Sequence, residues 1–458
     1  NDELKSTWKY YLEEAEQESE IQTQLAELHK EYAAITPEQI KGIDPCCGSG
    51  HILAYLFDVL VQIYESYGYT TREAVESIVK NNLYGLDIDD RAAQLAYFAV
   101  MMKARQYDRR FFNRQIQPNV YTIRESNDID KYALDYFVGG DAKLKAATDS
   151  IIKEMYDAKE YGSILNITPV DFAALYARFS EVQDDIHISR EVVLNSLLPL
   201  VQVAEALAQK YDVVITNPPY LGSDAMGVAL TNYIKRNYPL CKADLYAVFI
   251  RKCGKMLKKH GYQAMITMHS WMFLSSFEKM RTSLVSSHTI VNMCHLGARA
   301  FEEISGEIVQ TVAWVMQNGF LNYNAEYARL VEYSAQEEKH KAFLVGKDRF
   351  FFLQKNYANI PASPIAYWIS EGFQKIFDDG DQITQYVSSR DGLTTGSNEL
   401  FIKQFWEVPY QHIAFGCKNA DEFWGTRKKF APLIKGGLYR KWYGNNWFVI
   451  TYDHEGYN

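Results

Sequence analysis

The chain has 458 residues, of which 47% are hydrophobic and 23% are charged, a balance that fits about two to four globular domains and excludes a disordered or collagen-like chain. Its net charge of −9 gives no general attraction to nucleic acid. No run reaches the roughly 18 uncharged apolar residues of a membrane span, so we expect no membrane partner.

Six cysteines without CxxC spacing indicate reduced thiols in a cytoplasmic protein, and the histidines show no metal-ligand spacing, so we expect no metal. The chain starts without methionine and carries no secretory signal. We therefore expect it to be a piece of a longer protein.

The N-terminal residues 2–35 are polar, lack Gly and Pro, and predict one or two helices. Strand and helix patterns then alternate up to about residue 335, with a helical insertion at about 128–206, and this alternation predicts an α/β fold with a parallel sheet. Further helices are expected at 51–67, 92–102 and 251–260. Strands are expected just before Asp44 and at 83–88, 119–123, 211–216, 262–268, 289–294 and 309–316.

From about residue 320 the chain turns to short aromatic segments punctuated by glycine, and we place a domain boundary near 335. The expected domains are a helical segment at 1–35, the α/β domain at 36–335 and the beginning of a further, α+β region at 336–458. Residues 401–458 have a net charge of +3, and Lys428, Lys429, Arg440 and Lys441 lie there among aromatic residues. This is the pattern of a nucleic-acid surface, although a solvated basic face beside an aromatic core would look the same.

The glycine-rich segment DPCCGSG, at 44–50, separates the first expected strand from a helix. Gly48 and Gly50 allow a tight turn and the close approach of a ligand to the positive end of the helix. The segment lacks the third glycine of a dinucleotide fingerprint and the Gly-Lys-Ser/Thr of a phosphate loop. The ligand is therefore expected to be neither NAD nor ATP, and a βα turn without any ligand stays open.

Acidic residues follow the next two expected strands. Asp87, at the end of the second strand, has the position of a carboxylate that accepts hydrogen bonds from both hydroxyls of a ribose. It could equally cap the following helix. Glu125, after the third strand, could accept from an adenine amino group or be an ordinary surface acid.

The tetrapeptide Asn217-Pro218-Pro219-Tyr220 follows the fourth strand directly, since prolines cannot continue a central strand. Together, DPCCGSG and NPPY resemble the motifs of S-adenosylmethionine-dependent DNA methyltransferases that act on amino groups. Their order along the chain is that of the mostly adenine-specific gamma class. This resemblance implies a Rossmann-like class I methyltransferase sheet with helices on both faces, a C-terminal target-recognition region and S-adenosylmethionine as cofactor. The implied cofactor contacts are Asp44, Cys46, Gly48, Gly50, Asp87, Ile88 and Glu125.

The tetrapeptide suits this chemistry because an exocyclic amino nitrogen is a poor nucleophile. The side-chain oxygen of Asn217 and the carbonyl of Pro218 can accept from that amino group and stabilise its developing positive charge. Tyr220 offers a face on which an extruded base can stack. The segment at 298–315 resembles the family's late motif, in which Phe301 would contact the other face of the base, unless Phe301 is part of the core.

Segments along nearly the whole chain, including NNLYGLDIDDRAAQLAYFA and IPASPIAYWIS, resemble the large methyltransferases of BREX phage-defence systems. This resemblance implies a bacterial enzyme that methylates N6 of adenine in duplex DNA by base flipping, with other defence subunits as partners. In that family a Thr-Pro motif covers the methionine end of the cofactor. Thr36-Pro37 lies too close to Asp44 for this role, so we expect the motif upstream of this chain.

Other functions fit parts of the pattern. NPPY also serves methyltransferases that act on guanine amino groups in RNA or on a glutamine amide. The chain could also be a DNA-binding or sensor subunit that needs partners for turnover, or the methyltransferase of a restriction-modification enzyme.

Overall fold

The computed structural model describes residues 2–301, 309–381, 383–388, 395 and 397–453. The chain divides into two compact units, Asn1–Gly380 and Asp381–Asn458.

Within the described residues, the first unit is built on a nine-stranded sheet. Its strands are β1 (Gly42–Asp44), β2 (Leu83–Asp87), β3 (Asn119–Thr122), β4 (Tyr211–Thr216), β5 (Leu257–Met268), β6 (His288–Gly297), β7 (Thr311–Asn318), β8 (Asn324–Arg329) and β9 (Arg349–Leu353). Their order is β3-β2-β1-β4-β5-β7-β6-β8-β9. β1 to β5 are parallel where they pair, and β7 is antiparallel to both β5 and β6. The first seven strands confirm the expected class I methyltransferase sheet.

Helices of the first unit connect these strands. They are α1 (Asp2–Thr7), α2 (Ser19–Ala33), α3 (His51–Ser66), α4 (Thr71–Ser77), α5 (Asp90–Tyr107), α6 (Lys131–Val138), α7 (Ala142–Glu154), α8 (Ala158–Tyr161), α9 (Phe172–Gln183), α10 (Arg190–Val192), α11 (Leu198–Ala208), α12 (Val228–Asn237), α13 (Leu245–Met256), α14 (Glu278–Ser287), α15 (Gln336–Val345) and α16 (Glu371–Asp379). The insertion at 128–206 is helical, as expected.

Hydrophobic helix faces bury the sheet in two clusters. In one, Leu53 and Phe57 of α3 pack with Ala96 of α5 and with β2 and β3. In the other, α11, α13, α14 and parts of the insertion pack with the central strands. The apolar side chains that surround α3 therefore fit its place between α4, α5 and the sheet.

The prediction of a helix at 251–260 is wrong at the C-terminal end of that range. α13 ends at Met256, and β5 starts at Leu257, which pairs with Tyr211 of β4. The start of β5 contains the basic residues from Lys258 to His260. These residues lack the apolar alternation of a strand, so the sequence predicted a continuing helix there.

The first unit also extends past the boundary expected near 335. β8 pairs with β6, and β9 pairs with β8, so residues up to Leu353 belong to the same sheet. The second unit contains α17 (Asn398–Phe401), α18 (Ala420–Gly425), β10 (Ile402–Gln404), β11 (Phe430–Leu433) and β12 (Phe448–Thr451). These three strands form an antiparallel sheet in the order β10-β12-β11.

One helical stretch in the described residues, Arg190–Ala208, is long and apolar enough to cross a membrane by length and composition alone. Its side chains Leu200, Val201 and Ala204 are fully or almost fully buried in the main core. Packing against the sheet therefore accounts for its hydrophobicity.

Candidate active site at the carboxyl ends of β1, β2 and β4

The glycine-rich turn joins β1 to α3. Gly48 and Gly50 have φ angles of +52° and +84°, which favour glycine. A Cβ at position 50 would lie 2.8 Å from the Cα of Ala96, so glycine also lets α3 pack closely on α5. A Cβ at position 48 would have open space around it, with no atom of the described residues within 4 Å. The turn therefore presents open backbone at Gly48.

Asp87 holds this turn from the end of β2. One carboxylate oxygen accepts the Gly48 N–H at 2.8 Å, and the other accepts the Asp89 N–H at 2.9 Å. Asp89 itself caps α5 by accepting from Arg91 and Ala92. A carboxylate has about four acceptor positions, so Asp87 keeps two for a ligand.

Asp44, at the end of β1, is 1% exposed. Its Oδ1 accepts the Cys46 N–H at 3.0 Å, whereas Oδ2 is buried with no hydrogen-bond partner among the described residues. The buried Oγ1 of Thr216, at the end of β4, makes no well-formed hydrogen bond either, but it lies close enough to the Asp44 carboxyl to act on its pKa. Burial raises the pKa of Asp44 to about 7, and the Thr216 hydroxyl and the Cys46 amide oppose this rise. Such unpaired polar atoms are costly in a core and are typical of functional sites.

The tetrapeptide begins directly after β4, which pairs with β1. It therefore lies at the strand end next to the glycine-rich turn. Asn217 is exposed, Pro218 is buried and Tyr220 is half-buried. The Tyr220 hydroxyl lies 3.3 Å from Asn217 Oδ1 and 3.3 Å from the Ile266 carbonyl of β5, so its one proton is shared between two acceptors. Burial raises the pKa of Tyr220 to about 12, which keeps this hydroxyl protonated.

Two supporting residues were missed from the sequence. Asp244 caps α13 and accepts from the Leu221 amide at 3.1 Å, which holds the chain just after the tetrapeptide. Ser163, from the helical insertion, donates to the Pro45 carbonyl at 2.6 Å and supports the glycine-rich turn. The Asp-Leu start of α13 was a readable capping signal, but nothing in the local sequence pointed to Ser163.

The other expected cofactor contacts surround this centre. Cys46 is half-buried beside Asp44, and burial raises the pKa of its thiol well above the usual range. Ile88 and Glu125 follow neighbouring strands, and both side chains are exposed. Phe301 is exposed as well, but residues 302–308 of its motif lie outside the described part of the chain. The ligand contacts of these residues stay predictions.

The basic residues of the second unit differ in their surroundings. Lys428 is half-buried and donates to the Ile413 carbonyl at 3.0 Å. Lys429 lies 3.8 Å from the carboxylate of Asp453. Arg440 and Lys441 are exposed in the long loop at 434–447, which connects β11 to β12. Those two are therefore better placed for an external anion than Lys428.

Comparisons with known proteins gave matches to a family model, to curated sequences and to solved structures. Residues 81–301 match the Eco57I restriction-modification methylase family. The chain is 39% identical, over 98% of its length, to the adenine-specific methyltransferase PglX of Lacticaseibacillus casei (strain Zhang). It is 40% identical, over 99% of its length, to the adenine-specific methyltransferase BrxX of Escherichia coli O9:H4 (strain HS). A structure of the DrdV–DNA complex matches 76% of this chain and 30% of that chain, with 13% identity and a TM-score of 0.46.

The two alignments cover 38% and 39% of PglX and BrxX, so the chain spans well under half the length of each relative. The chain is thus similar to the adenine-specific methyltransferases PglX and BrxX over nearly all of its own length, and its residues 81–301 match the Eco57I restriction-modification methylase family.

Proposed function

We propose that the protein transfers a methyl group from S-adenosylmethionine to N6 of adenine in duplex DNA, as part of bacterial phage defence. The observation that carries this proposal is the position of Asn217-Pro218-Pro219-Tyr220 at the end of β4, beside the glycine-rich turn that follows β1. The names of the relatives supply the target base.

The residues at the ends of β1 and β2 fit the proposed cofactor. Gly48 leaves backbone open to a ligand, and Asp87 keeps two acceptor positions for the ribose hydroxyls. Asp44 Oδ2 is a buried acceptor with the Thr216 hydroxyl beside it. Ile88 and Glu125 would lie along the adenine, and the Cys46 backbone would line the turn. When bound, S-adenosylmethionine supplies an electrophilic methyl group.

Asn217 and Pro218 would act on the amino group that receives the methyl. Each contributes an oxygen that accepts an N–H of this group, which favours a tetrahedral nitrogen and stabilises positive charge in the transition state. The amide oxygen has two lone pairs, so Asn217 can accept from the substrate while it stays within reach of the Tyr220 hydroxyl. The product can release its proton to water, so no general base is required.

Tyr220 and Phe301 would hold the target base outside the duplex. The Tyr220 ring packs edge-on against Tyr246 at 6.0 Å between centroids, which fixes its plane. Stacking on such a ring contributes roughly 1–3 kcal/mol, which offsets much of the cost of extruding a base.

The remaining regions would recognise DNA and partner proteins. We propose that the second unit, Asp381–Asn458, begins the target-recognition region and that its exposed residues Arg440 and Lys441 contact DNA. Lys428 and Lys429 would support this surface through their contacts with Ile413 and Asp453. Other defence subunits would be further partners.

The test is the identity of the methylated product. Unmethylated bacterial DNA is incubated with the protein and labelled S-adenosylmethionine, and its nucleosides are separated by mass spectrometry. We expect N6-methyladenine, which Asn217→Ala abolishes and the exposed control Asn113→Ala preserves. Labelled N4-methylcytosine, or label in RNA or protein alone, would overturn the proposal.

A further inference from the structure

A cavity of about 410 Å³ lies at the amino end of the sheet, away from the candidate active site. It is formed where the chain enters β4 and β5, at the C-terminal ends of α11 and α13. Three lysines, Lys210, Lys252 and Lys255, line it together with amide side chains such as Asn318, and none of its lining residues is acidic. A concave surface with three cations and no carboxylate attracts anions.

Lys252 is the unusual member, because it is only 3% exposed. Its ammonium group donates to one partner among the described residues, the Leu165 carbonyl. An ammonium has three N–H donors, so two have no partner among the described residues, and lysines are rarely this buried without partners. A charge in this position is costly unless further acceptors or an anion accompany it.

Other buried cations of the chain show how a core satisfies such groups. Arg281 is fully buried and donates to the carbonyls of Trp271, Leu274, Ala362 and Ser363. Lys339, also 3% exposed, donates to the carbonyls of Leu296 and Leu330. Lys252 has a single carbonyl, that of Leu165, and is one of the residues that line the cavity. Its surroundings therefore differ from those of a lysine that only ties chain segments together.

The neighbouring lysines increase the local positive charge. Lys210 donates to the Lys255 carbonyl, and Lys255 lies over the Tyr238 ring at 4.9 Å. Burial, with Lys255 and Lys210 nearby, lowers the pKa of Lys252 to about 7, and the neighbouring Cys253 thiol opposes this. No carboxylate contributes to this shift. An anion in the cavity would reverse it.

We propose that this lysine cavity binds the phosphate group of a small molecule, with Lys210, Lys252 and Lys255 as its cationic ligands. The volume is in the range of small-molecule sites. α13 connects the two sites. Its N-cap, Asp244, holds the chain just after the tetrapeptide, and its last residues line the cavity. The proposal does not depend on the methyltransferase function, because it rests on the charges and burial at the opposite end of the sheet.

The experiment is calorimetric titration of the protein with pyrophosphate and with inorganic phosphate, at an ionic strength held constant with chloride. We expect saturable binding of one equivalent that weakens at least tenfold in Lys252→Met, whose side chain has a similar volume without the charge. The exposed Lys279→Met is the matched control and should bind like the wild type.

A second variant keeps the test decisive if Lys252→Met does not fold. Lys210→Gln changes an exposed side chain and should weaken binding severalfold without loss of structure. Absence of saturable binding to the wild type would overturn the proposal. So would an affinity in both cavity variants equal to that of the wild type, because binding would then not involve these lysines.

Discussion

Replacing Asp44 with asparagine should stabilise the folded protein, and the gain should grow with pH. The carboxyl is 1% exposed, and burial raises its pKa from 3.8 to about 7 against the opposing effect of the Thr216 hydroxyl and the Cys46 amide. A raised carboxyl pKa means that the folded state keeps a proton that the unfolded chain releases. Its contribution to stability therefore falls as the pH rises between those two values and stays low above them.

The size of the effect follows from the two pKa values. Relative to a neutral group, the buried carboxyl costs roughly 2 kcal/mol at pH 5 and about 4 kcal/mol at pH 8. Asparagine does not titrate, and it keeps an oxygen for the Cys46 N–H while its amide can donate to the neighbouring Thr216 hydroxyl. The stability difference between variant and wild type should therefore rise by about 2–3 kcal/mol from pH 5 to pH 8.

Denaturant unfolding without cofactor, at pH 5, 6, 7 and 8, measures this difference. Asp149→Asn, on the exposed surface of α7, is the control and should show no such trend. A difference for Asp44→Asn that is the same at all four pH values would refute the burial of an ionisable carboxyl at this strand end.

Substitutions at Asp87, at Tyr220 and at the basic residues of the second unit probe the candidate site and the proposed DNA surface. Asp87→Asn should weaken S-adenosylmethionine binding by about 10- to 100-fold in calorimetry, since losing a charge-assisted hydrogen bond costs about 1.5–3 kcal/mol; unchanged affinity would remove Asp87 from the cofactor site. Tyr220→Phe keeps the stacking face and loses only the shared hydroxyl, so methyl transfer should fall less than tenfold, whereas Tyr220→Ala should fall further; equal losses would contradict a stacking role. Replacing Arg440 and Lys441 together by Gln should reduce DNA affinity and its salt dependence, whereas Lys428→Gln should mainly lower the stability of the fold. An unaltered salt slope in the double variant would exclude the loop between β11 and β12 as a DNA contact.

The order of helices and strands could be predicted from the sequence because strong local signals mark their ends. The β-branched run at 211–216 stops at two prolines, and β4 occupies those residues, Tyr211–Thr216. Local signals failed where a strand is polar at its start, as at Lys258 in β5. Local signals also failed to predict that segments after residue 320 join the sheet, as β8 does by pairing with β6 and β9 by pairing with β8.

The site divides in the same way. The glycine-rich turn and the tetrapeptide are continuous in sequence, so their residues could be named in advance. The Ser163 hydroxyl reaches Pro45 across 118 positions of sequence, and Lys252 becomes unusual only when the insertion buries it against Leu165. Such partners depend on tertiary packing, which a single sequence does not encode in any local pattern.

The central claim is that Asn217 acts on the group that receives the methyl and does not hold the cofactor. The most direct test measures S-adenosylmethionine affinity and the single-turnover rate of methyl transfer to DNA in the wild type and in Asn217→Ala. We expect an affinity within about twofold of the wild type and a rate lower by about 100-fold or more, as for loss of one transition-state hydrogen bond. A wild-type rate in the variant, or a loss confined to cofactor affinity, would contradict this claim.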